Sequence, residues 1–98
     1  MGKDTIEKNA IITKCSFERY DYKSNTIKMR FDSGGDDENT INHAEINIDN
    51  FDNLIKFMEA VGVRKWEDIQ GHYVRIMVCG KKVIRIRDIL QDYHIFEV

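Results

Sequence analysis

The sequence has no proline, only two cysteines and no long apolar run, and each shortage closes off a class of protein. Without proline, repeats or low-complexity tracts there is no proline-rich linker and nothing to divide the chain. Cys15 and Cys79 lie far apart, each inside an apolar stretch. They read as buried thiols rather than as a disulfide framework. His43, His72 and His94 are scattered, without the short paired spacings that put two ligands on one element, so neither a metal site nor a cofactor is expected. No stretch approaches the ~18 apolar residues of a membrane span, and the start lacks the basic-then-apolar order of an export signal. A cytoplasmic protein with no membrane partner is expected.

Catalytic signatures are missing as well. There is no nucleophile elbow, P-loop, dinucleotide-binding glycine pattern or HExxH motif, each of which ties a chemistry to a defined turn or helix face. An enzyme would have to assemble a dispersed pair such as His43 with Glu45 or Asp32, and the expectation is that the chain is not an enzyme. A basic excess is also lacking. The formal net charge is −2, which argues against direct nucleic-acid binding.

What is present suits one folded domain. The 98 residues are 42% hydrophobic and 33% charged, enough for a single core over residues 1–98, with residues 1–8 read as a loose N-terminus. Ala10 to Phe17 alternates, with Ile11, Thr13, Cys15 and Phe17 on one side. Thr26 to Asp32 alternates more clearly, with Ile27, Met29 and Phe31 inward, and from Ile41 onward Ala44, Ile46 and Ile48 share a face. Asp49 or Asn50 then caps a helix whose apolar stripe is Phe51, Leu54, Ile55, Met58 and Val61, and Gly62 ends it. A connector anchored by Trp66 and Ile69 follows. A hairpin then turns at Gly80-Lys81, with Val74, Ile76 and Val78 facing Ile84 and Ile86, and the tail is too apolar to be left in water. The order β-β-β-α-β-β predicts an α+β fold: an antiparallel sheet of about five strands with one main helix packed on one face. Such a sheet leaves its second face open, which favours a homo-oligomer.

Charge is segregated along the chain. From Asp32 to Asp52 every charged residue is acidic, and from Arg75 to Arg87 every one is basic. The Gly34-Gly35 loop runs straight into Asp36, Asp37 and Glu38, which oppose an anion but can imitate the backbone of a nucleic acid toward a protein partner. Arg75, Arg85 and Arg87 fall on one hairpin, where paired guanidinium groups suit phosphate. His43, Tyr73 or Tyr93 of a neighbouring subunit can supply the wall for a base.

The segment Val61-Gly-Val-Arg-Lys-Trp-Glu-Asp-Ile-Gln-Gly-His-Tyr-Val-Arg-Ile76 resembles a group of small phage and prophage proteins that share the form V-G-V-x-x-W-E-D-L-x-G-x-Y-V-R-V. Lys8-Asn-Ala, Phe31-Asp-Ser-Gly-Gly and Ile86 to Phe96 resemble the corresponding parts of that group more loosely. The chain departs from it at Asp36 to His43, where the group continues with more glycine and an aromatic. The resemblance implies a phage accessory protein in the bacterial host cytoplasm, of the kind that counters host defence. Two functions are then expected: inhibition of a host or defence protein, such as a CRISPR nuclease, through Asp36, Asp37 and Glu38; or sequestration of a cyclic nucleotide or ADP-ribose-type ligand between subunits by Arg75, Arg85 and Arg87.

Overall fold

The computed structural model describes residues 5–19, 25–34, 40–90 and 94–98. Its elements run β1 (Thr5–Arg19), β2 (Asn25–Asp32), β3 (Ile41–Asn47), α1 (Phe51–Val61), a 3-10 turn (Trp66–Asp68), β4 (Tyr73–Cys79), β5 (Lys82–Asp88) and β6 (Ile95–Glu97). The strands stand in the order β3-β2-β1-β4-β5-β6, and β3 also pairs with β5. That extra pairing, parallel and with His43 opposite Lys82, closes five strands into a barrel. The expected open sheet with a helix on its face is therefore corrected to a mostly β chain: a closed five-stranded barrel, one helix and a sixth strand added to β5.

β1 makes closure possible. Its first half, Thr5 to Ile11, pairs with β4, and its second half, Ile11 to Arg19, pairs with β2. One long strand thus belongs to both walls, and the register shift between Ile12 and Lys14 lets it bend, as a β-bulge does. Residues 5–8, read from sequence as loose, are the first rungs of that pairing. The bulge also resets the inward phase, since Ala10 and Ile12 are buried where Ile11 and Thr13 were expected. A second register shift beside Met77 and Val78 has the same effect on β5, burying Val83 in place of Ile84.

Three strands in sequence followed by a fourth that returns beside the first make a Greek key. A five-stranded, partly open Greek-key barrel is the OB-type architecture. Its interior is filled by Ile12, Ile27, Phe31, Ile76, Val83 and Ile86, all fully buried. At about 25 cal/mol per Å2 of apolar surface removed from water, each such side chain stabilises by about 1.5–3 kcal/mol.

The helix begins and ends as its sequence dictates. The Asn50 side chain accepts from the backbone N–H of Asn53 at 2.9 Å, and Gly62 closes it at φ 92°, the left-handed conformation that glycine adopts most readily. The buried face is rotated from the expected stripe. Phe57, Ala60 and Val61 are in the core, whereas Phe51 is 70% and Ile55 41% exposed, because α1 packs against β5 and β6 instead of lying across a flat sheet. Phe57 meets Phe96 of β6 edge-to-face at 5.6 Å, which anchors the C-terminal strand.

Candidate functional site

The outer surface of β1, β2 and β3 is set by strand alternation. Opposite the inward Ile27, Met29 and Phe31, β2 turns Lys28 and Arg30 outward, and β3 turns out His43, Glu45 and Asn47. After its bulge β1 adds Lys14, Ser16 and Glu18. The ladder then stacks these residues across strands: Lys14 opposite Arg30, Ser16 opposite Lys28, and Arg30 opposite His43. A depression of about 260 Å3 lies over Lys14, Lys28, Arg30 and His43. It continues into one of about 600 Å3 that shares Lys28 and His43 and reaches Lys81 and Lys82. Together they form a trough crossing β1, β2, β3 and the start of β5, about 14 Å at an inter-strand spacing of about 4.8 Å.

The trough is cationic. Lys14, Lys28, Arg30, Lys81 and Lys82 line it with two acidic side chains, Glu18 and Glu45, and both of these carboxylates pair with Lys28, at 3.3 and 3.6 Å. Among the described residues no carboxylate pairs with Lys14, Arg30 or Lys82. The turn that carries Lys81 is held in place from β3. The Asn42 side-chain amide donates to the Gly80 carbonyl at 3.3 Å, and the His43 N–H donates to the Lys81 carbonyl at 3.3 Å. Gly80 has φ 66° and Lys81 is not left-handed, the arrangement a two-residue hairpin link takes with glycine first.

The residues singled out from sequence fall elsewhere. Arg75 donates to Glu7 Oε1 and Asn9 Oδ1, both at 2.9 Å. Arg87 lies 3.5 Å from Glu7 Oε2, and Arg85 donates to Glu97 at 2.9 Å. Arg75 and Arg87 do stand opposite each other, but on Glu7: the hydrogen bond from Arg75, helped by the charges of both arginines, holds the Glu7 carboxyl below its ordinary value against the opposing effect of burial. Their charge is thus committed to a carboxylate of the same chain, tying β1 to β4 and β5. Tyr73 is exposed over a separate depression with Asn9 and Asp32. His43 sits in the cationic trough, apart from these arginines, and no hydrogen bond joins it to Glu45 or Asp32 among the described residues. Asp36, Asp37, Glu38 and Tyr93 lie outside the described residues.

Lys14, Lys28, Arg30 and Lys82 were not singled out from sequence. Their signal was the outward phase of two strands, but charge read along the chain does not add residues that meet only across a barrel wall. Cys15 and Cys79 are half-buried and unpaired, and burial pushes the Cys15 thiol up to about 11, which keeps it protonated and unreactive near neutral pH. Among the described residues no three His, Cys, Asp or Glu side chains come together as a metal-binding group, and no helix is long and apolar enough to cross a membrane. No family model, curated protein or solved structure matches the chain.

Proposed function

We propose that this is a non-catalytic protein that binds single-stranded nucleic acid across the trough formed by β1, β2, β3 and the β4–β5 turn. The observation that carries the reading is the local side-chain charge: five cationic side chains on one continuous surface against two acidic ones that both clasp Lys28. Net charge supported the opposite expectation, but an approaching strand responds to the field of the surface it meets rather than to the chain average.

Shape favours a strand over a single nucleotide. Small-molecule sites bury most of their ligand in a concave pocket, whereas this trough is shallow and open along its length. Its affinity would come from successive phosphates rather than enclosure. Barrels of this architecture carry oligonucleotides and oligosaccharides on the corresponding strands and loops. That analogy is secondary, since a fold hosts many functions. The phage-accessory reading from the Trp66 segment accommodates this activity, with the bacterial cytoplasm as its setting.

The test is anisotropy titration of a labelled oligo(dT) at several salt concentrations, with a mononucleotide as competitor. Binding should weaken with salt with a logarithmic slope of about −2 to −3, at about 0.7 per phosphate neutralised. Lys14→Ala with Arg30→Ala should flatten the slope, Arg85→Ala should leave it unchanged, and the mononucleotide should compete poorly. Absence of oligo(dT) binding at low salt would overturn the proposal, and tight mononucleotide binding would redirect it to a small ligand.

A further inference from the structure

Among the described residues β3 and β5 pair only through His43 and Lys82, at the start of the seam that closes the barrel. The N–H of Ser33 donates to Thr40 and that of Ile48 to Asn25, which fixes the phase of the β2–β3 ladder. Ala44 and Ile46 exchange bonds with β2, and the backbones of His43, Glu45 and Asn47 point toward the seam. His43 finds the Lys81 carbonyl there; Glu45 and Asn47 have no backbone partner among the described residues. On the other side the Val98 N–H donates to Ile84, so in β6 it is Ile95 and Glu97 whose backbones face the seam. Two unpaired strand edges thus flank one cleft, of about 760 Å3, whose remaining wall is α1 with Asn53, Lys56 and Glu59.

The structure assigns this cleft to an extended, lysine- or arginine-bearing peptide of another protein, added as a strand to the β3 edge. An unpaired edge offers main-chain donors and acceptors that only another extended backbone satisfies as a set. The charge of the cleft selects the class: Glu45, Glu59 and Glu97 line it against Lys56 and His94. Glu59 carries no partner among the described residues, and a carboxylate already paired once, as Glu45 is with Lys28 and Glu97 with Arg85, still has acceptor capacity. The inference does not depend on the nucleic-acid reading.

The phase of the ladder supplies a clean variant. The Glu45 N–H points into the cleft, so Glu45→Pro removes a donor from the docking edge without removing a barrel hydrogen bond, as proline is tolerated on an edge strand. With a fluorescent peptide alternating lysine and valine, wild-type protein should bind and Glu45→Pro should bind about tenfold or more weakly while melting like wild type. Glu45→Gln, which keeps the donor, should lose less. Independently of any variant, amide exchange at Glu45 and Asn47 should slow when the peptide is added to wild-type protein. Peptide binding without that protection, equal binding of an alternating glutamate–valine peptide, or protection of the same amides by concentration-dependent dimerisation would each overturn the proposal, the last by giving the edge to a second copy.

Discussion

Asn42 of β3 reaches across the barrel seam to Gly80, its side-chain amide donating to the glycine carbonyl at 3.3 Å, from a position with no solvent exposure. Asn42 is one of the few polar side chains in the core, and this bond joins the third strand to the turn that presents Lys81 and Lys82. Asn42→Ala should destabilise the fold by about 1–3 kcal/mol, the cost of leaving a buried group unpaired. Oligonucleotide affinity should fall as well, because the turn loses one of its two ties to β3. Urea unfolding measures the first effect and anisotropy the second; an unchanged urea midpoint would show that the bond holds nothing.

Gly62 and Gly71 share the same positive φ but differ in surroundings. Both have φ 92°, yet a Cβ on Gly62 would meet Asp88 Oδ2 at 2.6 Å, whereas one on Gly71 meets nothing within 4 Å. Gly71→Ala should therefore cost only the left-handed backbone penalty, about 1–2 kcal/mol, and Gly62→Ala should cost more. Adding Asp88→Ala to Gly62→Ala should recover part of the difference. Equal unfolding midpoints for the two single variants would contradict the close approach of the helix end to β5.

Glu7 predicts the direction of acid sensitivity. Its carboxyl is held below the ordinary value in the fold, chiefly by the Arg75 hydrogen bond, so its stabilisation is present above the ordinary carboxylate value and lost as pH falls through the lowered one. Thermal melts should show wild type more stable than Glu7→Gln at neutral pH, with the two curves converging from about pH 4 downward. A constant gap across that range would mean that the Glu7 clamp does not titrate.

Local signals in the sequence were readable where one residue fixes one conformation. Asn50, one of the two caps the sequence offers, acts through its side chain, Gly62 as stop and Gly80 at the hairpin turn act through the backbone, and the alternation of Ile27, Met29 and Phe31 puts those three inward, where they are buried. What was not readable depends on pairing. Thr5 to Asn9 contains a single apolar residue, Ile6, which is 60% exposed; those residues are strand because β4 supplies hydrogen-bond partners, not because of their own pattern. The shifts after Ile12 and beside Val78 each move one residue out of phase, and a periodic reading carries the old phase through them. Closure by a single His43–Lys82 pairing turned an expected sheet into a barrel and rotated the helix so that Phe57, rather than Phe51, is core. The candidate site was hidden for the same reason, since Lys14, Arg30 and Lys82 become neighbours only through strand pairing. Arg75, Arg85 and Arg87 stand out as a run of charge in the sequence, but their partners Glu7 and Glu97 lie on other strands.

An amide chemical-shift titration with oligo(dT) locates the face of the barrel that we propose receives a nucleic-acid strand. Saturable shifts are expected at Lys14, Ser16, Lys28, Arg30, His43 and Lys82, fading as salt is raised, with Arg75 and Arg87 unmoved. Shifts centred on Arg75, Arg85 and Arg87, or none anywhere at low salt, would rule out binding across the trough.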